Sequence, residues 1–172
     1  MKKLLVLVAL VAISAVAVNA QKRAIGARLG YGLEFSYQHN MGEKNMLEID
    51  AGLPGFLGVE AAATYDWIFP ISSWQEAGSW NWYAGVGAGA GYNWAHPLVV
   101  GYYYSIPYGF IGLAGRIGVE YNFDFPLNLS LDWRPIIGPA FGNGIGRNGG
   151  NIKFNEDGLY QGGIALGVRY HF

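Results

Sequence analysis

Eleven charged side chains stand at alternate positions within stretches that are otherwise apolar. Arginines and carboxylates in such a pattern can form ion pairs, and in a channel they can also carry ions or protons. Because a buried charge without a partner is costly, we expect the four arginines to pair with the acids in a filled interior. An ion path is the functional alternative, since acids are in excess. The set is Arg28, Glu34, Glu48, Asp50, Glu60, Asp66, Arg116, Glu120, Asp132, Arg134 and Arg169.

The histidines and serines give no catalytic or metal-binding arrangement. Acyl transfer or hydrolysis would need a histidine beside a serine or an acid, and the nearest pair in sequence is Ser36 and His39. Three residues apart on a strand, these side chains point to opposite faces. His96 and His171 add no pair with metal-ligand spacing. We therefore expect no enzyme activity, no metal ion and no cofactor.

A glycine repeat also lacks the spacing of a ligand-binding motif. The repeat occupies every second position and does not match the phosphate-binding G-x-G-x-x-G pattern. It predicts space for large side chains across a narrow interior, such as Tyr83 or an arginine. The residues are Gly85, Gly87, Gly89 and Gly91.

The elements that position the charges are predicted to be β-strands, since two residue types alternate along nearly the whole chain. From residue 24 to residue 38, apolar residues alternate with small, polar or charged ones. A period of two places these sets on opposite faces of a strand. The apolar set holds no charge in any of seven predicted strands, at residues 24–38, 46–53, 58–69, 80–94, 109–123, 127–134 and 159–172.

The predicted strands are long, and aromatic residues gather near the ends of their apolar face. About 9–11 residues suffice to cross a bilayer at a tilt. Rings with a polar group favour the membrane–water boundary, so the pattern predicts two aromatic girdles around an aliphatic band. The lack of charge on this face agrees with the cost of about 2–4 kcal/mol for a lipid-facing Arg or Lys. The girdle residues are Tyr37, Trp67, Phe69, Trp82, Tyr92, Trp94, Tyr121, Phe123, Trp133 and Tyr160.

The first twenty residues have the features of an export signal. Lys2 and Lys3 precede an apolar run at residues 4–18, and Val18-Asn19-Ala20 offers a small-residue cleavage site. We expect residues 1–20 to be a cleaved signal peptide and residues 21–172 to form one all-β domain. The chain has no cysteine and no basic patch, so neither disulfides nor nucleic-acid binding are expected.

The number of strands poses a problem, because an up-and-down barrel with both termini on one side of the membrane needs an even number. The eighth strand is expected at residues 98–105, where apolar residues alternate, or at 136–145, where Pro139 and glycines interrupt the pattern. The first position is favoured, because it puts the tight turn at residues 124–126 on the periplasmic side. We predict a single antiparallel eight-stranded barrel, whose narrow interior is filled by side chains and leaves no open pore.

Motifs in the last third of the chain carry a family resemblance. Gly118-Val119-Glu120-Tyr121 is followed by a short turn, a strand, a long loop and the closing run 167–172. This order, together with the Leu-Asp-Trp-Arg-Pro run at 131–135, resembles small outer-membrane barrels of the OmpA/OmpX type. The resemblance implies that Val168, Tyr170 and the terminal Phe172 form the assembly signal read by the outer-membrane insertion machinery.

Three functions agree with these patterns. The favoured one is an integral barrel in the outer membrane of a Gram-negative-type bacterium, with a structural, adhesive or interaction role carried by its extracellular loops. Its partners would be outer-membrane lipid and lipopolysaccharide. The second is a lipid-modifying enzyme built on the same barrel. The third is a soluble lipocalin-like carrier, whose apolar face would turn inward around an apolar ligand.

Overall fold

The computed structural model describes residues 23–56, 58–74, 78–94, 107–143, 151–154 and 163–172. Within these ranges the chain forms antiparallel strands and one short 3-10 helix, η1 (Ser72–Trp74). The expected signal peptide at residues 1–20 lies outside them. The first six strands are β1 (Arg23–Leu29), β2 (Gly32–Asn40), β3 (Asn45–Pro54), β4 (Gly58–Pro70), β5 (Ser79–Asn93) and β6 (Tyr108–Asn122).

The seventh and eighth strands are each built from several segments. β7a (Leu127–Trp133), β7b (Ile136–Ile137) and β7c (Pro139–Phe141) pair with β6 in one uninterrupted register, so together they form one strand. On the other side of this strand, β8a (Ile152–Phe154) pairs with β7c and β8b (Ile164–His171) pairs with β7a. β8b also pairs with β1, and this last pairing closes the sheet.

Each strand is antiparallel to its neighbours, and the order around the sheet follows the order in the chain. The predicted all-β, eight-stranded up-and-down barrel is therefore confirmed. Arg23 and Phe172 lie at one end, which we call the terminal end, together with the connections 41–44, 71–78 and 123–126. The other end, the loop end, carries the connections 30–31, 55–57, 94–107 and 142–151.

The predicted first strand is in fact a hairpin, formed by β1 and β2 around Gly30 and Tyr31. Its register pairs Leu29 with Leu33 and Ile25 with Tyr37, so that odd-numbered residues face odd-numbered residues. The alternation of apolar and polar residues passes through this turn without a break, which is why the pattern shows one strand where there are two. The division of the predicted strand 24–38 into β1 and β2 therefore supplies the eighth strand of the barrel.

The predicted eighth strand at 136–145 is wrong, because Ile136–Phe141 extend the seventh strand along β6. The favoured position, residues 98–105, lies outside the described residues, and the closed count of eight does not require it. The tight turn at residues 124–126 lies at the same end as both termini.

The barrel turns its apolar face outward and its charged face inward. Val86 of β5 and Leu113 of β6 are 59% and 76% exposed, whereas Arg28 and Glu48 are at most 1% exposed. Among the charged residues whose side chains are described in the strands, Arg23 at the start of β1 is the one that shares the outward face. No helix in the described part of the chain is long and apolar enough to cross a membrane.

Candidate functional site

The centre of the lumen holds a cluster of acids around Arg116. Its guanidinium pairs with Asp66 at 3.1 Å, with Asp132 at 2.8 Å and with Glu48. Arg116 also donates a hydrogen bond to the Tyr83 hydroxyl at 3.1 Å, and its Cζ lies 4.7 Å from the centre of the Tyr83 ring. These five residues come from β3, β4, β5, β6 and β7a, and we call them the Arg116 cluster. Side chains from five strands therefore meet across the interior.

A second cluster surrounds Arg134, nearer the loop end. Arg134 pairs with Asp50 at 2.8 Å, with Glu60 at 2.8 Å and with Glu34 at 2.6 Å. We call these four residues the Arg134 cluster. Three carboxylates thus share one guanidinium, so the acids of this cluster outnumber its arginine.

Two further arginines connect the clusters to each other and to the wall. Arg28 pairs with Glu34 of the Arg134 cluster and with Asp132 of the Arg116 cluster, and its Nη1 lies 3.6 Å from Asp50. Arg169 pairs with Glu48 at 2.6 Å and donates to the hydroxyls of Ser36 and Ser130. The lumen therefore contains one continuous ion-pair network in a narrow, protein-lined space, as expected where buried charges need partners.

Glu120 differs from the other ten predicted charges. It lies toward the terminal end and accepts hydrogen bonds from the amides of Asn81 at 2.9 Å, Asn122 at 3.1 Å and Asn128 at 3.2 Å. Sequence reasoning assigned Glu120 to the arginine network and missed these amides. Their signal was available, because all three asparagines occupy inward positions of their strands.

The glycines of β5 make room for inward-facing side chains, as predicted. A Cβ on Gly91 would lie 2.5 Å from the Phe110 ring, and one on Gly89 would overlap Ile136. A Cβ on Gly85 would overlap the carboxylate of Asp66. The occupants differ from those expected, since Tyr83 packs instead over Gly118 of β6. These glycines therefore serve packing inside the barrel.

The loop end of the lumen on the β4–β7 side is apolar. A small buried cluster fills it, consisting of Ala62, Phe110, Ala114, Ile136 and Ala140. These side chains touch one another, so they occupy the interior instead of lining an empty cavity. Polar and apolar side chains of the described strands thus both occupy the lumen.

Replacing Gly87 by alanine is expected to lower the free energy of unfolding by about 1–3 kcal/mol, the usual cost of overpacking. The new Cβ would collide with the backbone carbonyl of Ala63 on β4, which cannot move without breaking strand pairing. Gly109→Ala is the matched control, because the atom nearest its Cβ is 3.6 Å away. Urea unfolding followed by tryptophan fluorescence compares the two variants, and equal stability would contradict the tight fit at Gly87.

The terminal end carries a band of contacting aromatic rings. Phe69 stacks on Trp82 with ring centres 4.2 Å apart. Trp80 contacts Tyr121 at 4.8 Å, and Tyr121 contacts Phe123 at 4.6 Å. Three members of this band, Trp74, Trp80 and Phe125, are not among the predicted girdle residues.

The other predicted girdle residues are placed as follows. Trp67 lies toward the terminal end of β4, where its ring contacts that of Tyr65, and Tyr37 lies on β2 opposite Ile49. Tyr92 and Trp94 lie at the loop end of β5. Trp133 pairs with Ile117 and Ile164 in the middle of the wall, and Tyr160 is outside the described residues.

The residues of the predicted assembly signal close the barrel. Val168 and Tyr170 face outward on β8b, opposite Ala27 and Ile25 of β1. The amide of Phe172 donates a hydrogen bond to the Arg23 carbonyl at 2.9 Å. This geometry places the three residues at the seam between the last strand and the first.

The pair weighed for catalysis is not assembled in the structure. Ser36 faces inward, where its hydroxyl bonds Glu48 at 3.0 Å and Arg169 at 2.8 Å. His39 occupies the opposite face of β2, and His96 lies outside the described residues. Within the described ranges, no group of three or more His, Cys, Asp or Glu side chains could hold a metal ion.

One small pocket opens beside the Arg134 cluster. It has a volume of about 30 Å³ and is lined by Arg28, Glu34, Glu60 and Arg134 and by the turn residues 30–32. The Glu34 side chain is 12% exposed, whereas those of Arg28, Glu60 and Arg134 are each 1% exposed. Glu34 is therefore the most accessible acid of the cluster.

These features define a class: a closed eight-stranded barrel whose described residues turn charged side chains into the lumen and apolar ones outward. Comparisons of the chain with protein-family models, curated proteins and solved structures found no match.

Proposed function

We propose that the chain is an integral outer-membrane β-barrel of the small type that OmpA and OmpX represent, with a structural, adhesive or interaction role. The observation that carries this proposal is the orientation of the two faces. Outward positions along the strands are apolar, and charged groups fill the lumen. A surrounding hydrocarbon favours apolar side chains on the outward face and penalises charged ones there.

The aromatic band supports the same proposal. Its rings form a contacting series at the terminal end, where a barrel in a membrane meets the water boundary. β5 and β6 are also long enough, since each has 15 residues and a tilted crossing needs about 9–11. Exposed aliphatic side chains lie between this band and the loop end.

The ion-pair network favours a structural role over transport. Eight strands enclose an interior that side chains can just fill, and here Arg116, Arg134, Arg28 and Arg169 cross it in bonded contact with acids. The charges stabilise one another and hold the wall from inside. Any specificity then belongs to the connections at the loop end, which include the long segments 94–107 and 142–151.

The two alternative functions have less support. A soluble lipocalin-like carrier needs an apolar cavity, whereas the apolar part of the described lumen is a small packed cluster around Phe110 and Ile136. A lipid-modifying enzyme needs a nucleophile and a base in contact, and the described residues contain no such pair beside the pocket. We keep the signal peptide, the outer-membrane location and the assembly role of Phe172 as parts of the favoured proposal.

Detergent dependence tests this proposal. The mature protein is expected to require detergent or lipid to stay dispersed, and to migrate differently in gel electrophoresis before and after heating. A monodisperse, detergent-free protein would contradict the membrane assignment. Lipid A from cells with and without the protein is expected to be identical, and a changed acyl pattern would instead favour the enzyme.

A further inference from the structure

The turn between β3 and β4 holds one residue in a backbone conformation that its type disfavours. Among the described residues, Phe56 is the one non-glycine residue with a positive φ, at 58°. A residue with a Cβ populates this left-handed region roughly five- to thirtyfold less readily than its ordinary conformations. Glycine and asparagine are the residues that usually occupy it. Phenylalanine is therefore not the residue that the backbone favours at this position.

The surrounding contacts fix this conformation. The Phe56 amide donates to the Leu53 carbonyl at 3.3 Å, across Pro54 and Gly55. Proline followed by a glycine with positive φ is the pattern of a type II turn, and φ of Gly55 is 56°. The Gly55 amide donates to the Tyr31 carbonyl at 2.5 Å, and the Tyr31 ring covers the side where a Cβ would be. The turn is thus tied to the neighbouring hairpin, and Phe56 follows it.

The Phe56 ring gains little from the described part of the barrel in return. It is 64% exposed, and it forms no aromatic contact with another described residue. A strained residue that persists at an exposed position indicates a function for its side chain. The structure therefore calls for a contact of this ring outside the described wall.

The height of Phe56 identifies what the ring can contact. Trp67, which is 43% exposed, lies toward the terminal end of β4, and Gly58 begins this strand at the loop end. Between them β4 rises roughly 23 Å, at about 3.3 Å per residue and a tilt of about 40°. The apolar band of such barrels is about 25 Å tall, with aromatic rings at both borders. Phe56, just beyond Gly58, therefore lies at the second border.

Exposed rings on both sides of the turn lie near the same level. Tyr92 of β5, which is 48% exposed, pairs with Val59 at the start of β4. Tyr31, which is 61% exposed, lies on the other side, against Gly55. Phe56 thus continues a series of rings from β5 to the β1–β2 hairpin.

We propose that Phe56 is a membrane anchor, whose ring inserts between the headgroups and the upper acyl chains of the leaflet at the loop end. Burial of the ring there offsets the strain in the backbone and holds the β3–β4 turn at the membrane surface. A lipid surface fits better than a protein partner, because the turn lies at the border of the apolar band and not above it. This inference rests on the proposed membrane location.

The first test measures the depth of position 56 in phosphatidylcholine vesicles. The chain has no cysteine, so Phe56→Cys can carry a single environment-sensitive fluorophore. Val86→Cys, in the middle of β5, and Asn143→Cys, exposed after β7c, are the controls in lipid and in water. We expect nitroxide lipids labelled near the headgroup to quench position 56 more strongly than those labelled deep in the chain. The order should reverse at position 86, and neither lipid should quench position 143.

The second test separates the ring from the backbone with two substitutions. Phe56→Ala removes the ring and keeps a Cβ in the left-handed region. We expect its folding equilibrium constant in vesicles to fall roughly tenfold, the effect of losing part of a buried phenylalanine. Phe56→Asn also removes the ring but suits the backbone, so it should be roughly fivefold more stable than Phe56→Ala. Urea titration measures both variants.

Heat-modifiable migration first establishes that each variant is folded. Should Phe56→Cys not fold, Tyr31→Cys carries the fluorophore on the neighbouring turn. A label that neither nitroxide quenches would overturn the anchor, as would a Phe56→Ala variant as stable as the parent protein. Loss of stability in Phe56→Ala without quenching would assign the ring to a contact within the protein and also overturn it. Failure of the parent protein to insert into vesicles would instead contradict the proposed function.

Discussion

Val86→Arg is expected to lower the free energy of unfolding in phospholipid vesicles by about 2–4 kcal/mol, the cost of a lipid-facing arginine near the bilayer midplane. Val86 is the central residue of the 15-residue strand β5, faces outward and is 59% exposed. Its neighbours across the sheet are Tyr65 and Gly115, and the exposed outward face leaves the longer side chain free to extend away from the wall. The penalty would come from the surrounding hydrocarbon.

The matched control is Phe125→Arg, in the turn 123–126 at the terminal end. Phe125 is 56% exposed, and an arginine near the interface costs only about 0–1 kcal/mol. Urea titration in short-chain phosphatidylcholine vesicles measures both variants. On a wall that faces water an arginine at position 86 would be nearly neutral, so equal stability of the two variants would contradict the membrane assignment.

Arg116→Met is expected to destabilise the barrel by about 3–5 kcal/mol, because removing one partner leaves buried charges uncompensated. Arg116 lies among Glu48, Asp66 and Asp132 at the centre of the lumen, and its side chain is 0% exposed. Methionine keeps much of the side-chain volume but offers no charge and no N–H donor. Repulsion among the three acids should loosen five strands at once.

Arg23→Met provides the comparison, since it deletes the same group from an exposed position at the start of β1. We expect its unfolding midpoint to stay close to that of the parent protein. Heat-modifiable migration reports whether each barrel closes, and urea unfolding gives the difference in free energy. If Arg116→Met proves as stable as Arg23→Met, the lumen network does not hold the wall together.

The strands and their faces could be predicted from the sequence because each strand lies between two different environments, the exterior of the barrel and its lumen. Residues such as Val86 and Ile117 face outward, while Gly85 and Arg116 beside them face the lumen. The hairpin at Gly30 and Tyr31 could not be found in this way. Odd-numbered residues face outward in both of its arms, so the alternation continues through the turn. The turn lacks the two-residue Asn-Gly type of signal that marks many hairpins.

The members of the ion-pair network could be predicted, but their partners could not. Arg28 pairs with Glu34, six residues away, and also with Asp132, 104 residues away. Such a contact depends on the stagger of strands around a closed barrel, which alternation does not encode. Glu120 shows the limit of prediction from alternation. It has an inward position like the other predicted charges, but its partners on the adjacent strands are the amides of Asn81 and Asn128.

The turn at Gly30 and Tyr31 has a consequence for how this wall can change in evolution. Inserting or deleting one residue in either arm would exchange the lipid and lumen faces of every residue beyond it, a change that selection would remove. Inserting or deleting two residues in each arm preserves both faces. It changes the height of the wall by roughly 5 Å, given the rise per residue and the strand tilt. Homologues should therefore vary here in even steps, and the height of the β1–β2 part of the wall is the quantity that such steps would adjust.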